Sequence, residues 1–113
     1  METLYGDFGS EQLIAYREKL HKKLFWLLLY KDPQTKDEYA YVDFEKYFVA
    51  LMQELDGLND VLLEPPELVE LMSLLQAAYN ESTRQNFNYR VYRKFVLDAH
   101  TVLDKLDFGE VAQ

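Results

Sequence analysis

The sequence predicts an all-α protein, and specifically a four-helix up-down-up-down bundle. Apolar residues recur at the i, i+3, i+4, i+7 spacing of one helix face in four separate segments. Residues that cap or stop helices lie between those segments, and the links are short enough to join antiparallel neighbours. Alternation of apolar and polar residues, which marks strands, is never sustained. Because 113 residues is near the modal domain length, we expect one helical domain over residues 1–113.

The first helix is predicted over residues 10–30. The hydroxyl of Ser10 can accept a hydrogen bond from a first-turn N–H group, and Asp32 followed by Pro33 stops the helix. The next segment, 32–42, is polar and rich in turn residues, so we expect a loop there. The predicted core face of this helix contains Leu13, Tyr16, Leu20, Leu24 and Leu27.

The second and third helices are predicted over residues 43–57 and 65–80. Asp43 is expected to cap the second helix. Gly57 is expected to close it, because glycine readily adopts the left-handed conformation at a helix C-terminus. Pro65 suits the first turn of the third helix, where a missing N–H group costs nothing. The predicted core faces contain Phe44, Tyr47, Phe48, Leu51, Met52 and Leu55 in the second helix and Leu68, Leu71, Met72, Leu75, Ala78 and Tyr79 in the third.

The fourth helix is predicted over residues 88–106. Asn88 is a suitable N-cap, and Gly109 follows the end of the periodic pattern. The predicted core face contains Val91, Tyr92, Phe95, Ala99, Val102 and Leu106.

Composition limits the compartment and the chemistry. Hydrophobic residues make up 49% of the chain and aromatic residues 15%, enough for a packed core. The absence of cysteine excludes disulfides, thiolate metal sites and cysteine nucleophiles. The first residues lack the basic and apolar regions of a signal peptide. The longest apolar run, 24–30, is too short to cross a bilayer, and we therefore expect a cytoplasmic protein.

The charges are strongly segregated along the chain. The net charge is −8, which opposes contact with a phosphate backbone or with anionic lipid, so neither nucleic acid nor a membrane is expected as a direct partner. Between Lys46 and Arg84 there is no lysine or arginine, but there are seven carboxylates. An up-down-up-down bundle would gather most of them at one pole. This predicted acidic end comprises Glu54, Asp56, Asp60, Glu64, Glu67, Glu70, Asp104 and Asp107.

Local stability explains only part of the acidic end. Carboxylates near a helix N-terminus, such as Glu64 and Glu67, are stabilised by the helix dipole. Asp104 and Asp107 lie at a helix C-terminus, where the same dipole disfavours them. Their presence there favours a role in binding a basic protein surface.

The end of the first helix is apolar on every side. Trp26, Leu29 and Tyr30 lie on a side that is polar one turn earlier, which a four-helix bundle does not require. Either the loop folds over them, with Tyr39 and Tyr41 as the cover, or they form an exposed contact site, for example of a homodimer.

Candidate metal chemistry is weak in this sequence. Glu18 and His21 have the Glu-x-x-His spacing of di-iron bundles, but the motif does not recur around His100. The pairs Glu67/Glu70 and Asp104/Asp107 are similar to the carboxylate pairs with which all-α nucleotide pyrophosphatases hold magnesium. Such pairs must face one another across a cleft, whereas the helical wheel directs Asp104 to solvent. We therefore assign no catalytic, metal or cofactor residue.

The sequence favours a small regulatory or accessory interaction module without enzymatic activity, which binds a basic protein surface. In this hypothesis Trp26, Leu29 and Tyr30 add apolar contact area to the acidic end. One alternative is an inhibitor that mimics nucleic acid and occupies a DNA- or RNA-binding protein. A further alternative is a metal-dependent all-α nucleotide hydrolase. The identity of the partner and the oligomeric state do not follow from the sequence.

Overall fold

The described part of the protein forms four helices, as the sequence predicts. The computed structural model describes residues 2–3, 6–7, 10–61 and 65–105, with side chains for residues 14–60 and 65–105. The helices are α1 (Ser10–Lys31), α2 (Phe44–Val61), α3 (Pro66–Ser82) and α4 (Tyr89–Lys105). A 3-10 turn, Lys36–Tyr39, lies between α1 and α2. Near the N-terminus, β1 (Glu2–Thr3) pairs antiparallel with β2 (Gly6–Asp7), and strands of this length leave the all-α class unchanged.

Contacts between side chains establish the antiparallel order of α1 and α4. The Tyr92 hydroxyl donates to the carbonyl of Leu27 at 2.6 Å, near the start of α4 and the end of α1. Further along α4, Asp104 lies 2.7 Å from a ring nitrogen of His21, which is earlier in α1. Residue numbers therefore fall along α1 as they rise along α4.

The other neighbouring helices also run antiparallel. The Tyr47 hydroxyl donates to the carbonyl of Lys23 at 3.0 Å, which joins the start of α2 to the later part of α1. Near its start α2 also reaches the end of α3, where the rings of Phe48 and Tyr79 stack with centroids 4.6 Å apart. These contacts confirm the up-down-up-down arrangement.

The core follows the predicted faces closely in α1, α2 and α3. Its buried apolar residues include three from α1, three from α2 and four from α3: Leu20, Leu24, Leu27, Phe48, Leu51, Leu55, Leu68, Leu71, Leu75 and Ala78. Leu13 lies outside the described side chains. Tyr16, Phe44, Tyr47, Met52, Met72 and Tyr79 pack half-buried at its edge.

The predicted core face of α4 is partly wrong. Val91 is 37% exposed, whereas Val96 and Leu103, which the prediction leaves out, are fully buried. The buried face is centred on Tyr92, Val96, Ala99, Val102 and Leu103. The physical reason is that α4 packs against both α1 and α3, so its buried face turns away from Val91. Leu106 lies outside the described residues.

The expected end of α2 at Gly57 is also wrong. The helix continues through this glycine to Val61. A glycine inside a helix costs about 0.5–1 kcal/mol relative to alanine, which the packing of Leu58 against the core can offset. Apart from its two chain neighbours and the backbone of its own helix, no described atom lies within 4 Å of the position of a Cβ at Gly57, so the site is open to a larger side chain.

Polar side chains fix the starts of two helices as predicted. The Asp43 carboxylate accepts the N–H of Lys46 at 3.1 Å, and the Asn88 side chain accepts the N–H of Arg90 at 2.9 Å. α3 begins one residue later than expected, with Pro65 as the extended N-cap residue and Pro66 in the first turn.

Candidate interaction surfaces

The four carboxylates Asp56, Asp60, Glu67 and Glu70 lie where α2 ends and α3 begins. We refer to them as the α2–α3 carboxylates. Asp56, Asp60 and Glu70 are exposed and Glu67 is half-buried. Among the described residues, none of the four forms an ion pair. Glu64 and Asp107 of the predicted acidic end lie outside the described side chains.

Glu54 is part of a packed polar network between α1 and α2. Its two carboxylate oxygens accept hydrogen bonds from the Tyr16 hydroxyl and from the Lys23 ammonium. Burial acts to raise the pKa of Glu54, but the bonds from Lys23 and Tyr16 and the charge of Lys19 outweigh it and lower the pKa. Burial and the carboxylate together raise the pKa of Tyr16. Glu54 therefore serves to join two helices.

Lys23 neutralises a residue of the predicted acidic end, because its ammonium group pairs with Glu54. Lys23 lies in the later part of the long helix α1, and its side chain reaches the middle of α2. A long side chain can reach past one helical turn. The position of its Cα along the helix therefore does not determine where its charged group lies.

Asp104 belongs to a polar cluster with two histidines, which we refer to as the histidine cluster. The Nε2 of His21 lies 2.7 Å from Asp104 Oδ1, and its Nδ1 lies 2.8 Å from His100 Nδ1. The two imidazole rings stack with centroids 5.0 Å apart and an angle of 9° between their planes. Asp104 remains largely exposed, as the wheel predicts, but it also contacts His21, which the wheel does not predict.

The geometry of the histidine cluster limits its charge. When His21 donates from Nε2 to Asp104, its Nδ1 accepts the N–H of His100, so both rings can be neutral. Protonation of both rings would direct two N–H groups at each other across 2.8 Å. Burial, helped by the neighbouring His21, lowers the pKa of His100, while Asp104 acts in the opposite direction. The cluster therefore favours at most one positive charge.

Aromatic residues cover the apolar end of α1. Tyr39 from the loop contacts Trp26 edge-on at 5.5 Å and Tyr30 at 5.6 Å, and Tyr47 of α2 contacts Tyr30 at 5.2 Å between ring centroids. The Thr35 hydroxyl adds a 2.7 Å bond to the carbonyl of Leu29. The loop therefore covers Tyr30, which is half-buried, and it hydrogen-bonds the backbone of Leu29.

We refer to Trp26, Tyr30 and Tyr39 as the aromatic end. Two of its features differ from the cover that the sequence predicts. Tyr41 touches only the edge of the group, through Tyr39, and is 82% exposed. Trp26 keeps 38% of its surface exposed, and Phe25, which the sequence does not single out, keeps 51%. Moreover, Trp26 and Tyr30 are close to the end of α1, the pole opposite the α2–α3 carboxylates. These two sets of residues therefore form separate surfaces.

A groove between α2 and α3, lined by both helices, is a feature that the sequence prediction misses. We refer to it as the α2–α3 groove. Its volume is about 370 Å³, and its lining residues are Phe48, Val49, Met52, Gln53, Asp56, Met72, Gln76 and Tyr79. Half of these residues belong to the predicted core faces, because a helical wheel shows the direction of a side chain but not the distance to the next helix.

The described residues also bear on metal binding and on membrane insertion. No group of three or more histidine and carboxylate residues is positioned there to hold a metal ion. In the same part of the chain, every helix is too short or too polar to cross a lipid bilayer. The chain matches no protein-family model, no curated protein and no solved structure.

Proposed function

We propose that this protein is a non-enzymatic interaction module that binds a basic surface of a partner protein through the α2–α3 carboxylates. The observation that carries the proposal is that these four carboxylates form no ion pair among the described residues, within a stretch that lacks lysine and arginine from residue 47 to residue 83. Solvated charges of one sign accelerate encounter with an oppositely charged partner and select against partners of the same sign.

Not every acidic residue contributes to this surface. Glu54 is neutralised by Lys23, and Asp104 is engaged by His21. The proposal therefore narrows the acidic end to the two helix termini that α2 and α3 place side by side. The aromatic end is a separate surface, so Trp26 does not supply apolar contacts to the same interface.

Two variants of equal net charge test the proposal. D60N/E67Q/E70Q removes three of the α2–α3 carboxylates, and E18Q/D37N/E38Q removes three exposed carboxylates elsewhere. Partners would be captured from a cell lysate on immobilised wild-type protein and on both variants. Capture at about 0.1 M and about 1 M ionic strength changes the Debye length from about 10 Å to about 3 Å.

We expect the wild type and the E18Q/D37N/E38Q variant to retain the same basic proteins at low ionic strength and to lose them at high ionic strength. The D60N/E67Q/E70Q variant should lose them at both. Equal capture by the two variants would show that net charge alone, without this surface, governs binding. Capture that does not respond to salt would overturn the proposal.

A further inference from the structure

The α2–α3 groove has a firm floor and adaptable walls. The stacked rings of Phe48 and Tyr79, at 4.6 Å and an angle of 17°, form the floor, and Phe48 is almost fully buried. Met52 and Met72 line the walls, and they are the only methionines of the chain apart from Met1. Methionine side chains adjust to different apolar shapes because they are unbranched and polarisable. Such walls suit an apolar ligand that is inserted into the groove.

The shape of the groove fits a helix. On α2 the lining residues Val49, Met52, Gln53 and Asp56 are spaced i, i+3, i+4, i+7. Seven residues of helix cover about 10 Å, which is close to two turns of an occupying helix. A volume of about 370 Å³ accepts more than one apolar side chain. An amphipathic helix would present its apolar residues at this same spacing.

The charges around the groove determine the sign of the occupant. Asp56 lies in the lining itself, and Glu45 lies beside the Tyr79 hydroxyl toward the other end of the groove. The two helices carry no lysine or arginine after Lys46. An occupant with lysine or arginine beside its apolar residues would meet Asp56 in the lining and the other α2–α3 carboxylates beyond it, whereas an acidic occupant would be repelled at that end.

We infer that the α2–α3 groove docks a basic amphipathic helix of a partner protein. The inference rests on the proposed function and adds to it the apolar contacts that the α2–α3 carboxylates lack. The apolar face of the partner helix enters between Met52 and Met72, and its basic residues lie beside Asp56 and the other α2–α3 carboxylates. Charge sets the rate of encounter, and burial in the groove supplies affinity.

The probe is a synthetic helix of about 14 residues, close to four turns, with leucine on one face and lysine elsewhere. A second peptide replaces leucine by serine and keeps every lysine, and a third keeps leucine and replaces lysine by glutamate. Fluorescence anisotropy gives Kd for each peptide. The ¹³C-labelled methyl signals of Met52 and Met72 report whether the groove is occupied.

Two single substitutions locate the binding site. V49K places a charge at the edge of the groove, where Val49 is 46% exposed. V91K makes the same change on α4, where Val91 is 37% exposed and is not one of the residues that line the groove. Circular dichroism checks that both variants keep the helical content of the wild type.

The expected result is that the leucine–lysine helix binds, shifts both methionine signals and loses at least about tenfold in affinity in V49K but not in V91K. Salt-dependent binding with unmoved methionine signals and equal Kd in the two variants would overturn the groove and leave the proposed function standing. Failure of both lysine peptides to bind, or equal binding of the glutamate peptide, would overturn both. Methionine signals that shift with protein concentration alone would place a second copy of the chain in the groove and contradict the inference.

Discussion

At the end of the bundle where α3 turns into α4, Glu81 is only 4% exposed, whereas at the opposite end Asp56, Asp60 and Glu70 face solvent. Glu81 accepts the N–H of Asn88 and a bond from Arg84, both at 3.0 Å. Buried carboxylates require such partners, and exposed ones do not. The difference separates an acidic residue that holds the fold together from acidic residues that remain available for binding.

The apolar surfaces show a similar division between residues that the chain covers and residues that it leaves open. Around Trp26, the loop supplies Tyr39, and α2 supplies Tyr47, so most of the apolar surface near the end of α1 is covered from within the chain. In the α2–α3 groove, Val49 is nearly half exposed beside Met52. An apolar surface that its own chain covers contributes to stability, and one that stays open can contribute to binding.

Among the substitutions that test this comparison, the largest loss in the free energy of unfolding is expected at Glu81. The substitution E81A removes two charge-assisted bonds and leaves the N–H of Asn88 without its acceptor, so we expect a loss of about 3 kcal/mol in the free energy of unfolding. D60A, at an exposed carboxylate, should change it by less than about 0.5 kcal/mol. Urea unfolding measures both, and a loss under about 1 kcal/mol in E81A would show that the bonds are unimportant.

A smaller effect is expected at the aromatic end. Y39A removes two edge-on ring contacts, which are worth about 0.5–1.5 kcal/mol per pair, and should lower the free energy of unfolding by at least about 1 kcal/mol. It should also move the emission of Trp26, the single tryptophan of the chain, to longer wavelength. Y41A is the matched control, since Tyr41 is 82% exposed, and it should leave emission unchanged. Equal emission spectra for Y39A and Y41A would show that Tyr39 does not cover Trp26.

The histidine cluster predicts a modest dependence of stability on pH. The folded protein holds the pKa of His100 below its ordinary 6.5, so the unfolded chain binds this proton at higher pH than the folded chain. The contribution of neutral His100 to the free energy of unfolding is complete above about pH 6.5 and falls as the pH decreases below that value. It stops falling once the pH is below the pKa of His100 in the folded protein. Urea unfolding between about pH 8 and about pH 5 should show this decrease in the free energy of unfolding in the wild type. The loss should be smaller in H100Q, and an identical pH dependence would contradict the assignment.

The sequence predicts the four helices well, because each shows an apolar periodicity and the caps Asp43 and Asn88 mark the starts of two of them. It misplaces the end of α2, since Gly57 is tolerated inside a helix when Leu58 packs against the core. It also misses Val96 and Leu103, because the rotation of α4 is set jointly by two neighbouring helices.

The candidate sites are predicted less completely than the fold. The pairing of His21 with His100 joins residues 79 positions apart, a distance that helical periodicity cannot reach. The neutralisation of Glu54 by Lys23 likewise depends on how α1 lies against α2. The clustering of the α2–α3 carboxylates is visible in the sequence because their charge pattern is local, whereas the groove beside them depends on the separation of two helices.

The uneven distribution of charge is tested most directly by the relaxation of backbone amide protons in the presence of a small cationic paramagnetic probe. The relaxation caused by the cationic probe is divided by the relaxation caused by a neutral probe of the same size. This ratio reports the local electrostatic potential at each amide. We expect the ratio to be highest at the end of α2 and the start of α3, and lowest near Arg90 and Arg93 at the start of α4. A ratio that is uniform along the chain, or highest near Trp26, would contradict the account.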